Sequence, residues 1–163
     1  MESSLKIMCS TGQVLDFQTT TFQGFRFDGS SMHRAILEGM NLEEASFQNC
    51  DLRNAIFEKA ILCKANFRKA KLMNATFRAS KMANSNLEEA RPISARFDDA
   101  DLSGANLSGA DIGGAVFHRS CLAGAILLCS RWEEADFSGS TFDAATVWPE
   151  GCDPVKSGAI LIK

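Results

Sequence analysis

The chain has 163 residues, of which 45% are hydrophobic, enough to fill one hydrophobic core but short of the length at which two domains become the norm. Its 17 basic and 20 acidic residues give a formal net charge of −3, a balance too even to indicate a nucleic-acid binder or an acidic tail. Composition therefore predicts a single domain and leaves the class of partner open.

The first residues, MESSLKIMCSTGQ, lack the basic segment and apolar run of a secretory signal. No stretch approaches the roughly 18 apolar residues that span a bilayer. We therefore expect a cytoplasmic protein. Residues 1–14 precede the repeat described next, and we expect Leu5, Ile7 and Met8 to help cover its first coil.

Residues 15–149 follow a period of five. The column that starts at Leu15 is mostly alanine, and the column from Phe17 to Val147 holds 27 positions, all large and apolar except Pro92, with no insertion in the frame. Neither the helical period of 3.6 nor the strand period of 2 fits this pattern. Glycine and asparagine cluster in a third column, which predicts a corner with positive φ every five residues.

A second period of twenty residues predicts four sides in each coil and almost seven coils. It rests on one column that is phenylalanine at every twentieth position except Leu37, namely Phe17, Phe57, Phe77, Phe97, Phe117 and Phe137. Stacked coils bury side chains that one coil alone leaves exposed. We therefore predict that consecutive members from Phe57 to Phe137 contact each other, and that Asn66, Asn86 and Asn106 form a ladder.

The repeat unit, seen as ANFRK at 65–69, ADLSG at 100–104 and ADIGG at 110–114, resembles that of the pentapeptide repeat family, and the match covers residues 15–149. The tail TVWPEGCDPVKSGA at 146–159 resembles the terminal segment of cyanobacterial members. The resemblance implies an all-β fold, a right-handed quadrilateral β-helix, with residues 1–14 and 150–163 as its end caps.

Residues of catalytic type are explained by their place in the repeat. Asp51, Asp101, Asp111 and Asp136 all precede the central apolar residue, where asparagine also occurs. A filled rod offers no pocket that would perturb the pKa of a carboxylate. We therefore predict no catalytic residue and no enzyme activity.

Metal and cofactor sites are not predicted either. By the twenty-residue period, His33 and His118 lie on different sides and more than four coils apart, so they cannot share a metal ion. The six cysteines form no C-x-x-C pair and are expected to be reduced. The glycine pair at 113–114 lacks the strand-to-helix setting of a phosphate-binding loop.

Basic residues concentrate between Arg53 and Lys81, where eight of them face Glu58 as the one acidic residue. Two fall on each predicted side, so they form a belt and not a stripe, which disfavours nucleic acid lying along the rod. The belt is either a solvated band in weak ion pairs or a docking site for an acidic partner. Its candidate partner-binding residues are Lys59, Lys64, Arg68, Lys69 and Lys71.

Apolar residues in outward columns mark the carboxyl end. Ile126, Leu128 and Trp148 are the candidate partner-binding residues there. Together with Val155 and the run at 160–162 they could cover the last coil or join two rods end to end, because an open strand edge invites further pairing. Pro92 predicts a bulge in which Ile93 turns inward, and its role is left open between recognition and a neutral irregularity.

The predicted function is protein binding or scaffolding by a rod, with the partner unidentified. The family resemblance implies an alternative, because some pentapeptide repeat proteins mimic duplex DNA and occupy type II topoisomerases. Such mimicry needs an acidic surface along the rod, whereas this chain interrupts its acidic residues with the belt.

Overall fold

The computed structural model describes residues 5–163, and its dominant feature is a turn that recurs every five residues. From Gly24 to Gly124 every fifth residue has a positive φ, between 53° and 70°, whether it is glycine or a residue such as Lys59. The amide of Ala60 donates to the carbonyl of Phe57 at 3.0 Å, and equivalent bonds close the neighbouring turns. A positive φ confined to the third residue is the pattern of type II turns. The predicted corner column is therefore confirmed.

Parallel bridges join successive rounds of the chain at a register of twenty residues. Asn66 pairs with Asn86, and Asn86 pairs in turn with Asn106, as the sequence predicted. The amide of Phe77 donates to the carbonyl of Arg96 at 2.7 Å, and the amide of Arg96 returns a bond to Ala75 at 3.0 Å. Four turns therefore separate each residue from its partner in the next round.

Phenylalanine rings fill the interior in two columns. The rings from Phe57 to Phe137 follow one another at 4.8–5.0 Å with nearly parallel planes, so the predicted stacking is confirmed. A second stack runs through Phe27, Phe47 and Phe67, and meets the first edge-on at 5.6–5.7 Å. These geometries are the preferred ones for aromatic pairs. Alanines of the small column are buried beside the rings.

A hairpin of β1 (Leu5–Cys9) and β2 (Val14–Phe17) covers the amino-terminal end. Strand β1 also pairs antiparallel with β3 (Ala35–Ile36), which belongs to the first coil of the repeat. Ile7 is fully buried under this lid, while Met8 points outward. Because β2 belongs to the hairpin, Phe17 meets Phe27 edge-on at 5.1 Å and does not stack, and the first regular turn begins at Phe22.

The bulge predicted at Pro92 is wrong. Pro92 stays buried in the central column, its carbonyl accepts the usual turn bond from Ala95 at 3.1 Å, and Ile93 remains on the outer, half-buried side. Proline is accommodated at this inward position because its ring packs like another apolar side chain and the strand loses only one backbone amide donor. That loss is local: among the described residues no backbone amide reaches the carbonyl of Asp111, and no bridge joins Arg91 to Asp111.

The uninterrupted frame predicted to residue 149 is also wrong near the carboxyl end. Asp111 pairs with Ser130, a register of 19, and Ile126 pairs with Val147, a register of 21. A 3-10 helix, Trp132–Glu134, lies between these two shifts. After the first shift Cys129 is buried and Ser130 is exposed. After the second shift Val147, which the five-residue period places inward, is exposed, and Trp148 faces the interior in its place. Burial of the larger apolar surface favours both exchanges.

The last strands are β4 (Thr141–Phe142) and β5 (Ile160–Leu161), which pair in parallel. The amide of Ile160 donates to Ser140 at 2.8 Å, and Ala159 is buried beneath the tail. The tail thus continues the coil by one more strand, whose side chains are more than half exposed. Within residues 5–163, no helix has the length and apolarity needed to cross a membrane.

Candidate partner-binding surface

The aspartate column performs a backbone role. Oδ1 of Asp101 accepts a hydrogen bond from the amide of Ser103 at 3.0 Å, and Asp136 accepts one from Ser138 at 2.9 Å. Asn66, Asn86 and Asn106 make the same contact with the residue two positions ahead. Such Asx bonds stabilise turns. The hydrogen bonds from Ser138, and then that of His118, lower the pKa of Asp136 to about 2, which makes it a poor proton acceptor.

One ionic cluster lies along the side that carries the first phenylalanine stack. The guanidinium of Arg96 binds the nearly buried carboxylate of Asp98 through two bonds of 2.7 and 2.9 Å. Those bonds lower the pKa of Asp98. His118 lies between Asp98, at 3.7 Å, and Asp136, at 2.6 Å. Within the described part of the chain, no three metal-ligating side chains form a group that could hold an ion.

The basic belt divides into paired and unpaired residues. Lys64 pairs with Glu44 at 3.0 Å, and Arg68 and Lys69 pair with Glu89 at 2.9 and 3.4 Å. These partners lie one coil away, as expected for a solvated band, and exposed pairs of this kind contribute little to stability. Among residues 5–163, neither Lys59 nor Lys71 has an acidic group within ion-pair distance.

Lys71 borders a surface groove of about 220 Å³ that we call the basic groove, lined by Arg53, Lys71, Met73 and Arg91. Arg53 is engaged by Asp51 through bonds of 2.8 and 2.6 Å. The other two cations, Lys71 and Arg91, also line the groove, and within residues 5–163 neither has an ion-pair partner. Sequence reasoning missed Arg91 because the belt was closed at Lys81, although a step of twenty residues from Lys71 leads directly to Arg91.

Lys71 and Arg91 form a bridge of like charge. Among the bridges of the described residues that join two charged side chains, the others combine opposite signs, as in Asp51 with Lys71 and Lys81 with Asp101. Like charges directly opposite each other destabilise a ladder. The basic groove therefore concentrates positive charge at a cost to the fold.

The apolar residues predicted to act together at the carboxyl end differ in their exposure in the structure. Leu128 is exposed, Ile126 is half-buried, and Trp148 packs inward against Phe137 at 5.2 Å and Phe142 at 5.4 Å. Trp148 is therefore partly buried against the core, and less of its side chain is available to a partner than that of Leu128. The exposed apolar residues at this end are Leu128, Val147, Val155, Ile160, Leu161 and Ile162.

The cysteines are free thiols in the structure. Burial raises the pKa of Cys50 to about 11 and that of Cys129 to about 12. Because the thiolate is the reactive form, both groups are chemically inert at neutral pH.

Comparison with known proteins identifies the repeat. One family model, a pentapeptide repeat region, matches residues 50–127, and a second, pentapeptide repeats in nine copies, matches residues 22–61. No curated protein matches the chain. A pentapeptide repeat protein, Rfr23, from the cyanobacterium Cyanothece 51142 is 25% identical, with a TM-score of 0.57 over 77% of this chain and 88% of its own.

Two further solved structures share the repeat at lower similarity. HetL, a pentapeptide repeat protein involved in heterocyst differentiation regulation in Nostoc sp. strain PCC 7120, is 21% identical, with a TM-score of 0.32 over 86% of each chain. QnrB1, a plasmid-mediated fluoroquinolone resistance protein, is 21% identical, with a TM-score of 0.45 over 87% of this chain and 84% of its own. The family models and the five-residue turns agree with each other, and the chain belongs to the pentapeptide repeat family.

Proposed function

We propose that this protein is a non-enzymatic rod that binds another protein, built as a right-handed, four-sided coil of about seven rounds. The observation that carries the proposal is the filled interior. The large and small side chains of the inward columns are almost completely buried from Phe27 to Leu127. Only the outer surface of the rod is therefore available to a ligand or partner. Stacked repeats of this kind present long, rigid surfaces to their partners.

The outer surface supports binding better than catalysis. Its carboxylates are held by backbone amides or guanidinium groups that lower the pKa of Asp51, Asp98 and Asp136. A general base at neutral pH needs the opposite shift. The two histidines are engaged, His33 by Asn54 at 3.1 Å and His118 by Asp136 at 2.6 Å.

The alternative, occupation of a type II topoisomerase by DNA mimicry, has weaker support. Mimicry requires an acidic surface along the rod, and the basic groove places on one side of it two cations that have no ion-pair partner among the described residues. We therefore propose that the partner is a protein recognised through acidic groups of its own.

Affinity capture followed by reconstitution tests the proposal. The folded rod is immobilised, retained proteins are identified, and each is purified and titrated against the rod in solution. We expect at least one to bind saturably with a fixed stoichiometry. Absence of any partner that binds after purification, under conditions in which the rod is folded by circular dichroism, would overturn the binding function.

A further inference from the structure

We propose that the basic groove is the docking site for an acidic, extended segment of a partner protein, an inference that rests on the proposed binding function. The site is built from Arg53, Lys71, Met73 and Arg91, which line one depression. Its two free cations come from neighbouring rounds of the coil and face the same space.

The first argument is the charge left without an ion pair, since Asp51, which lies across the ladder from Lys71, bonds to Arg53 instead. Lys71 and Arg91 are paired across the ladder, and neither has an ion-pair partner in the part of the chain that the structure describes. Other belt residues of the same type, such as Lys64 and Lys69, are satisfied from adjacent rounds. Carboxylates placed against Lys71 and Arg91 would offset the repulsion between the two cations and gain charge-assisted hydrogen bonds. The groove is therefore preorganised for an anion.

The second argument is the spacing of the charges. Paired strands lie about 4.8 Å apart, and alternate side chains of an extended peptide repeat at roughly 6.8 Å. The difference of about 2 Å is within the reach of two long side chains, so Lys71 and Arg91 can each meet one of two carboxylates at alternate positions of an extended segment. The planar guanidinium of Arg91 suits bidentate binding of a carboxylate.

The third argument is the apolar wall, which favours a peptide over nucleic acid. Met73 is 39% exposed beside the cations, and Ile93 is half-buried on the same side. An acidic segment with an apolar residue between its carboxylates would cover Met73, whereas a phosphate backbone has no group for it. The positive stretch is also short, because Asp51 with Arg53 and Asp111 with Arg131 form neutral pairs at its two ends. Duplex binders commonly make about 6–10 phosphate contacts.

A defined probe tests the site without knowledge of the natural partner. A fluorescein-labelled peptide with alternating glutamate and leucine is titrated against the full chain and followed by anisotropy. The test variant is Lys71→Gln with Arg91→Gln, and the matched control is Lys64→Gln with Lys69→Gln, which removes the same charge elsewhere on the belt. We expect the test variant to weaken binding by about tenfold or more and the control by less than about threefold.

A stability measurement separates a binding defect from misfolding. Arg91→Gln removes the like-charge pair, so its melting temperature should equal or exceed that of the parent while its affinity for the peptide falls. A structural role for Arg91 would instead lower the melting temperature. That result would overturn the assignment.

The remaining outcomes are equally decisive. Equal losses in the test and control variants would show that only net charge matters and would overturn the groove as a site. If inorganic phosphate or a short DNA duplex bound more tightly than the peptide, the assignment of an acidic peptide as the occupant of the groove would be refuted. A partner found by capture that binds the Lys71→Gln, Arg91→Gln variant undiminished would refute the groove while leaving the binding function intact.

Discussion

Truncation of Phe97 to alanine is expected to cost the fold about 3–5 kcal/mol. The ring is fully buried and lies between Phe77, at 5.0 Å, and Phe117, at 4.9 Å. Truncation removes the apolar area of the ring and both aromatic pairs, each worth roughly 0.5–1.5 kcal/mol beyond that area. Rigid bridges above and below keep the cavity from collapsing, so the upper half of the range is expected.

The assay is urea unfolding followed by two probes. Circular dichroism reports the whole chain, whereas fluorescence comes from the two tryptophans, Trp132 and Trp148, in a chain without tyrosine. Coincident curves indicate one cooperative unit. If the cavity uncouples the rod at its middle, as nearest-neighbour models of repeat proteins allow, the fluorescence transition will separate from the dichroism transition.

Phe97→Leu is the matched control, because leucine already occupies the same column at Leu37, where it is fully buried. Its expected cost is smaller, about 1–2 kcal/mol. A loss of less than about 1 kcal/mol for Phe97→Ala, or equal losses for the two variants, would refute the reasoning that the stack holds the rod together.

Four further predictions concern Asp136, the carboxyl-end apolar residues and two candidate associations. The pKa of Asp136 is lowered from its ordinary value to about 2, so its stabilising contribution is complete above about pH 5 and is lost as the pH falls toward 2. Because the side chain is nearly half exposed, we expect a contribution of at most about 1 kcal/mol, measured by urea unfolding of the parent and Asp136→Asn, and greater stability of the parent on acidification would contradict the sign. Trp148→Ser should cost about 2 kcal/mol or more, because the indole is partly buried against the core, and Leu128→Ser less than about 0.5 kcal/mol. The reverse order in thermal unfolding would show that the packing of Trp148 does not stabilise the fold. The protein should leave supercoiling by purified gyrase unchanged at micromolar concentration, and clear inhibition there would favour the DNA-mimic alternative. End-to-end pairing through the exposed edge of β5 remains a prediction, tested by light scattering of the parent and Leu161→Lys.

The sequence was sufficient for the repeat because its signal is redundant. Each corner and each inward position recurs many times, and an exception such as Pro92 is held in place by its neighbours. The carboxyl end was harder to predict because two registers compete there. Counting in fives places Val147 inward, but burying Trp148 removes more apolar surface from water, and no periodicity encodes that comparison.

The basic groove was only partly predictable for a different reason. Net charge along the sequence identified the belt but not which of its members find acidic partners. Lys64 and Lys71 each have an acidic residue twenty positions earlier, Glu44 and Asp51, yet Glu44 bonds to Lys64 whereas the carboxylate of Asp51 is bonded to Arg53. That difference depends on which basic side chain reaches the carboxylate first in space. It becomes visible only when each column is compared round by round.

The corners have a consequence for how such a surface can change over evolutionary time. Lys59, Lys64 and Lys69 hold positive φ values that glycine adopts without strain, and a side chain there costs roughly 1 kcal/mol. Glycine carries an entropic cost of about 0.5–1 kcal/mol in return, so exchange between the two is close to neutral for folding. Charge can therefore appear with little effect on stability at open corners such as Gly24, Gly29 and Gly39, where an added Cβ would meet nothing within 4 Å. The charge pattern of the outer surface can therefore change by single substitutions while the fold of the rod stays the same.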